Sequence, residues 1–399
     1  MTKIFLRHGR EESLKRFHPW VFSGAIHHIQ GEPLEGDIVQ VCAADGSLLG
    51  CGHYQVGSIT VRMLSFDSLA LSSDFWEKRI GAAYEMRSAI GLAGSEDTNS
   101  YRLVHGEGDQ LSGLIIDYYN GHAVIQAHSA GMFRSREKIV EALKHVYGSK
   151  LTSVYDKSSG TAPFKAGLEL SDGYIYGNPQ LPVEIKENGH IFSVDWESGQ
   201  KTGFFLDQRD NRSLVKKYSA GRNVLNLFCY TGGFSIYALA GGAASVDSVD
   251  SSQKAMELLE INIEKNRASG IIGKEQIHKG ICEDAIEYLR NCPTGKYDLM
   301  IVDPPAFAKH RGAISNALRA YQRLNAAAID RVAPGGIIIT YSCSQVVDKI
   351  AFAQVVFSAA AQTGRNVRIL HRLSQPADHP VSIYHPEGEY LKGLVIYVE

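Results

Sequence analysis

The sequence predicts a multidomain α/β protein whose C-terminal part is a doubly wound parallel sheet. Three observations predict this. Apolar runs of strand length alternate with helical patterns from residue 223 to the end. The run RNVLNLFCYTGG, residues 222–233, is an apolar strand that ends in a glycine-bearing turn and opens a helix. A chain of 399 residues with 44% apolar residues exceeds one ordinary domain. A strand-turn-helix of this kind, with Asp250 closing the next apolar run, sets a nucleoside cofactor at the carboxyl edge of a parallel sheet.

Residues 1–72 hold short strand patterns between glycine turns: KIFLRHG, HPWVFSGAI and GDIVQVCAADGSLLGCGHYQVGSITVRMLS. Asp45-Gly46 predicts a hairpin, because both residues tolerate positive φ. A small closed or half-closed β-barrel follows. At Asp74, an N-capping residue, the pattern turns helical in DFWEKRIGAAYEMRSAIGL, which marks a domain change. Strands LIIDYYNGHAVIQAH, turning at Asn120-Gly121, and a helix from about 134 to 147 make 73–190 a small α+β domain. The stretch GYIYGNPQLPVE connects it to residues 191–399. There the strands at 223–228, 245–250, 276–281, 298–303 and 336–341 alternate with helices, and two last strands lie at 367–371 and 392–398.

Composition limits the function classes. A formal net charge of -2 gives no global attraction for a polyanion, so nucleic-acid contact has to use a local patch. Lys3, Arg7, Arg10, Lys15 and Arg16, interleaved with Phe5, Phe17 and Trp20, compose one, offset in part by Glu11 and Glu12. Lys309 and Arg311 belong to a second basic run. The six cysteines include no CxxC pair and no Cys/His cluster of zinc-site spacing, so reduced thiols in a cytoplasmic protein and no metal are expected. The N-terminus has no apolar signal core, and no run is long enough to span a bilayer.

The candidate site residues cluster at strand ends. Tyr230, Thr231 and Gly232 form a turn that departs from GxGxxG, which favours a nucleoside with a small polar tail over a dinucleotide. Asp250 is placed to accept from ribose hydroxyls, or to cap the following helix, a role that Ser251 could serve instead. Asp284 is placed to accept from an adenine amino group, or to start a helix. In VDPPAF, two prolines after Asp303 remove two backbone donors and fix the direction of the chain beside the carboxylate. Cys343, in TYSCS, ends another strand at the same edge, as a buried filler or as a nucleophile. Carbon 5 of a cytosine is a poor nucleophile. Thiolate addition at carbon 6, with a carboxylic acid on ring nitrogen 3, makes carbon 5 enamine-like, which is chemistry that needs such a pair. A base must afterwards remove the carbon-5 proton, and the sequence does not identify it.

These residues resemble the RlmI-type class I S-adenosylmethionine-dependent 23S rRNA (cytosine-5) methyltransferases. The matching segments are HPWVFSGAI, GEGDQLSGLIIDYY, QKTGFFLDQRDNR, NLFCYTGGFS, VDSS, DPPAF, SCS, ADHPV and YHPEGEYLKG, in the family's order over almost the whole chain. The resemblance implies an N-terminal PUA domain, a central domain, a Rossmann-like methyltransferase domain with its last strand antiparallel, and a homodimer. It also implies that Gln208, Arg209, Asn226, Tyr230, Thr231, Gly232, Asp250, Ser251 and Asp284 surround the cofactor. Asp303 would sit between cofactor and base, and Cys343 would be the nucleophile. Two other readings remain open: methylation of an exocyclic amine, suggested by DPP followed by Phe307, and an RNA-binding assembly factor with a vestigial cofactor pocket.

Overall fold

Alternation of apolar and polar residues over the first 67 positions builds a curled, six-stranded sheet. The computed structural model describes residues 2–67, 71–163, 166–308 and 310–399, with Arg311 described by its backbone alone. Lys309 lies outside the described residues. Strands β1 (Lys3–Leu6), β2 (Trp20–Phe22), β3 (Ile26–Gln30), β4 (Ile38–Cys42), β5 (Leu48–Tyr54) and β6 (Ile59–Ser65), with the short helix α1 (Glu12–Lys15), are ordered β2-β6-β5-β4-β1-β3. Ile4, Leu6, Val39, Val41, Val61 and Met63 fill the core. The hairpin at Asp45-Gly46 forms, but only Gly46 takes positive φ (87°). Asp45 contributes its carboxylate, which accepts from the Ser47 N–H at 2.9 Å and Oγ at 2.6 Å.

The chain then forms α2 (Phe75–Ala89), β7 (Ser100–His105), β8 (Leu114–Tyr119), β9 (His122–Ala127), α3 (Ala130–Arg134), α4 (Arg136–Tyr147), β10 (Ser153–Asp156) and β11 (Gly173–Tyr176). The five strands order as β11-β10-β9-β8-β7 and share an apolar core with α2 and α4. Asn120 and Gly121 both take positive φ, which joins β8 to β9 by the tight turn the sequence predicts. Asp74 does not cap α2 with its side chain; the carboxylate accepts from Ser72 Oγ at 2.6 Å and pairs with Lys78 at 2.7 Å.

Contacts divide the chain into two compact units. One holds residues 1–185, 194–206 and 377–388, and the other holds 186–193, 207–376 and 389–399. The family-like segments of the first unit are largely structural. Glu107 of GEGD accepts from Trp20 Nε1 of HPW at 2.9 Å. Buried Arg87 donates to Asp109 and to the Asp378 carbonyl of ADHPV. His18, His385 and Glu387 gather ligand-type atoms within 4.8 Å of one another, a proximity that spacing along the chain does not reveal. Glu387 is largely exposed and lies 3.1 Å from His385 Nδ1, and burial lowers the pKa of that histidine, which disfavours its charged form.

The hairpin β12 (Val183–Glu187) and β13 (His190–Val194) leads through α5 (Arg209–Tyr218) into the second unit's sheet. Its elements are β14 (Asn223–Leu227), α6 (Gly233–Ala240), β15 (Ser245–Asp250), α7 (Gln253–Ala268), β16 (Ile277–Cys282), α8 (Ala285–Asn291), β17 (Leu299–Val302), α9 (Ile314–Arg331), β18 (Gly336–Ser342), α10 (Lys349–Thr363), β19 (Val367–Ser374) and β20 (Lys392–Val398). Among the described residues these strands form one seven-stranded sheet, ordered β16-β15-β14-β17-β18-β20-β19. Neighbours from β16 to β18 run parallel, and β20 enters antiparallel between β18 and β19. The order reverses at β14, so ligands of such a sheet are expected at the carboxyl ends beside β14 and β17.

Candidate active site

The turn after β14 is built for close approach. Phe228, Tyr230 and Gly232 take φ of 59°, 48° and 83°. A Cβ at Gly232 would collide with the Leu259 side chain, so glycine is required there for space as well as conformation. The Tyr230 N–H donates to Asp250 Oδ2 at 2.9 Å, and the Ser252 N–H donates to Asp250 Oδ1 at 2.9 Å. Asp250 is therefore locked at the strand end. The cap of α7 is Ser252, whose Oγ accepts from the Ala255 N–H, so neither Asp250 nor Ser251 serves as that cap.

Asn226, fully buried in β14, donates to Ser235 Oγ at 2.8 Å and leaves its Oδ1 without a hydrogen bond. Thr231 is buried, and its carbonyl accepts from Asn262 at 3.0 Å. Ser251 is exposed. Asp284 caps α8: Oδ1 accepts from the N–H groups of Ile286 and Glu287, both at 2.9 Å, so the helix-start reading holds at this residue. The close-approach glycine, the locked carboxylate of Asp250 and the orphan acceptor of Asn226 fit a nucleoside-bearing cofactor at this edge.

Asp303 follows β17 at the same edge. Gln208 Nε2 donates to Asp303 Oδ2 at 2.9 Å, and Gln208 Oε1 accepts from Asn211 at 2.6 Å, so this amide orients the carboxyl group. Burial, then the neighbouring Asp207 anion, lifts the Asp303 carboxyl to about 7. Tyr390 O–H donates to Asp207 Oδ2 at 2.7 Å, whereas buried Asp207 Oδ1 has no hydrogen bond. Arg209, next in the chain, is buried. Arg212, one turn further along α5, donates twice to fully buried Glu187, at 2.7 Å each, and Tyr237 O–H adds a third bond to Glu187 at 3.0 Å.

Cys343 comes to this pair from β18. Its Sγ lies 4.0 Å from the carbonyl oxygen of Pro304, the residue after Asp303. Burial, then Asp303 and Asp207, pushes the thiol up to about 12, and Lys392 opposes that rise. The flanking serines fix the segment: the Ser344 N–H donates to Ser342 Oγ at 3.4 Å, and Ser344 Oγ meets Tyr321 O–H at 3.0 Å and the Ala308 N–H at 3.4 Å. Phe307 packs on Tyr321, ring centroids 4.6 Å apart. The structure thus places Cys343 against the residue that follows Asp303, at the same edge of the sheet.

Sequence reasoning missed Asp207, Tyr390, Arg212, Glu187 and Lys392. The one signal for Lys392 was a lysine opening the otherwise apolar strand KGLVIYV. Of the basic residues expected to meet nucleic acid, Lys3, Arg7, Arg10, Lys15 and Arg16 are all exposed, while Lys15 pairs with Glu12 at 2.9 Å and Glu11 at 3.9 Å.

Comparison with known proteins agrees with this architecture. The profile of a family described as S-adenosylmethionine-dependent methyltransferase matches residues 169–392, and that of a PUA-like domain matches residues 4–66. The chain is 41% identical over 401 residues to ribosomal RNA large subunit methyltransferase I of Aeromonas hydrophila, covering 99% of each. It is 42% identical over 400 residues to the protein of that name from Aeromonas salmonicida, covering 98% of each. A methyltransferase crystallised in complex with SAH superposes over all of both chains with a TM-score of 0.83 at 25% identity. Carrying the turn, the locked carboxylate and these full-length likenesses, the chain belongs to the ribosomal RNA large subunit methyltransferase I family of S-adenosylmethionine-dependent methyltransferases.

Proposed function

We propose that the protein methylates carbon 5 of a cytosine in 23S ribosomal RNA, with Cys343 as the nucleophile and Asp303 as the acid. The observation that carries this reading is the approach of Cys343 Sγ to within 4.0 Å of the carbonyl oxygen of Pro304, the residue after Asp303, close enough for the Asp303 charge to act on the thiol. The names of the relatives supply the RNA. Bound S-adenosylmethionine supplies an electrophilic methyl group on a sulfonium. Asn226, Tyr230, Thr231, Gly232, Asp250 and Ser251 would hold it, as would Asp284 through the carboxylate oxygen that does not cap α8, with Asp250 offering its remaining lone pairs to the ribose.

The chain's own residues do the rest. With its carboxyl lifted to about 7, Asp303 keeps a proton near neutrality and donates it to ring nitrogen 3. Gln208 holds that carboxyl in place. The Cys343 thiolate adds to carbon 6, its electron pair forming the C–S bond while the ring π pair shifts, which gives carbon 5 enamine character. After methylation, a base takes the carbon-5 proton, the freed C–H pair restores the ring double bond and expels the Cys343 thiolate, and nitrogen 3 returns its proton to the Asp303 carboxylate. Amine methylation needs no thiol and leaves the placement of Cys343 beside Asp303 without a role. The same reading carries a cytoplasmic homodimer, which sedimentation of the purified protein tests for assembly.

Replacing Cys343 by Ser tests the mechanism. Turnover on rRNA should fall on the order of 10³-fold or more while S-adenosylmethionine binding by calorimetry stays intact. Full turnover in C343S would sink the cysteine route and favour the amine. Mapping 5-methylcytosine in rRNA from cells with and without the protein identifies the product.

A further inference from the structure

We propose that Lys392 is a positioning residue for Cys343: its ammonium tethers the backbone beside the thiol and is the counter-charge that favours the thiolate. The proposal deepens the reading of Cys343 as nucleophile and rests on it. Lys392 opens β20 and is only 7% exposed, in a strand whose other residues are glycine and apolar side chains. Burying an ammonium is costly unless it is bonded and paired. Its Nζ donates to the Ser344 carbonyl at 2.6 Å and to the Tyr390 carbonyl at 2.7 Å, so two of its three donors are used.

Both tethers concern the site. Ser344 follows Cys343 directly, and β20 pairs with β18 in the register Ser342↔Lys392, so the lysine stands opposite the residue before the nucleophile. Tyr390 is the residue whose hydroxyl binds Asp207. The next residue, Gly393, lies opposite Tyr341, whose ring would meet a Cβ there at 2.6 Å. This spacing lets the strand lie close against the Tyr341-Ser342-Cys343 segment.

The charges around the thiol define what Lys392 does. Asp303 after β17, Asp207 before α5 and Tyr321 on α9 all interact with Cys343, and both acids disfavour its anion. Among the described residues, Lys392 is the basic group that favours it. Around Lys392 itself stand Cys343, Glu389 and Asp348, and Glu389 is already paired with Lys349 at 3.0 Å. Burial lowers the lysine to about 8, opposed first by Cys343, so the ammonium persists at neutral pH. Ionisation sends the thiol proton to water and leaves the electron pair on Sγ, with no redox step.

The test is the pH profile of alkylation of Cys343 in the full-length protein, without RNA or cofactor, using iodoacetamide and peptide mass spectrometry. Cys282, which is exposed, serves as the internal control. K392Q keeps donors for the carbonyls but removes the charge, and K392R keeps the charge. In K392Q alkylation of Cys343 should be about tenfold slower at a fixed pH below about 8, where wild-type Lys392 is charged, the two profiles converging above it, with Cys282 unchanged. K392R should stay near wild type. A K392Q profile that overlies wild type overturns the proposal, as does a K392R profile shifted as far as that of K392Q. Failure of the cysteine mechanism reads out separately, as full methylation by C343S whatever the alkylation profiles show.

Discussion

Asp303 holds a proton at a pH where an exposed aspartate has lost it, and two consequences follow from the sign of that shift. Its carboxyl lies near 7 in the folded chain and at 3.8 unperturbed, so the stability it contributes is complete below about 4 and is lost as pH rises through about 7. Asp303→Asn removes the buried charge. The variant should therefore gain stability over wild type at pH 8, on the order of 2 kcal/mol after discounting for residual solvent, and none at pH 4, as read by denaturant melts at both values. On the proposed cysteine route the acid must be protonated and the thiol ionised. Between their values of about 7 and about 12, loss of acid offsets gain of thiolate as pH rises. The wild-type rate should climb to about pH 7 and then level off, whereas the weaker D303N should keep climbing above about pH 7. A plateau at the same place in D303N would mean that another group sets it.

At the scale of elements, the turn from β14 into α6 depends on Gly232 for both space and sign of φ. Gly232→Ala should cost about 1–3 kcal/mol and weaken S-adenosylmethionine binding. Adding Leu259→Ala to G232A should relieve the collision but not the backbone strain, so calorimetric affinity should recover only in part. Full recovery would mean that strain at the turn is negligible. The clasp of α5 onto the β12–β13 hairpin is a second such joint. Glu187→Ala removes the carboxylate that takes two hydrogen bonds from the buried Arg212 guanidinium and should destabilise by about 3–5 kcal/mol, whereas a Glu187→Leu, Arg212→Met double variant should recover most of that. The two joints differ in how far they can be read from the sequence. A strand running into TGG and an aspartate at the next strand end are local patterns with a local cause, and the structure keeps both. Asp284 allows two local readings, and the backbone N–H groups of α8 take it. The Glu187–Arg212 clasp and the Lys392 tether have no local signature, because each joins residues that become neighbours only once a hairpin or an antiparallel strand has found its place in the sheet. The same holds for Gln208, legible as part of a motif, whose bond to Asp303 depends on how α5 begins.

At the scale of the whole molecule, the charge balance decides how an RNA is held. A chain of net charge -2 gains little from the phosphate backbone except where cations are concentrated and unneutralised. In the PUA-like sheet Arg7, Arg10 and Arg16 are exposed, and Arg7 spends only its Nε, on the Ile26 carbonyl at 3.1 Å. Phe17, next to Arg16 in the chain, is 49% exposed while its ring meets Phe66 and Tyr384, centroids 5.5 and 5.2 Å away, which leaves part of it open for stacking. Lys15 stands in the same stretch but is matched by Glu11 and Glu12, so its charge is largely answered within the protein. Reversing the three arginines to glutamate should therefore weaken binding of an rRNA fragment by tenfold or more at moderate salt. It should also flatten the dependence of log K on log salt by about 2, roughly 0.7 for each contact to single-stranded RNA. Lys15→Gln should change neither by a measurable amount, and S-adenosylmethionine affinity should be the same in all three proteins. An unchanged salt slope in the triple variant would remove this face from the RNA path and move the search to the second basic run, where Arg319 and Arg323 of α9 carry the charge.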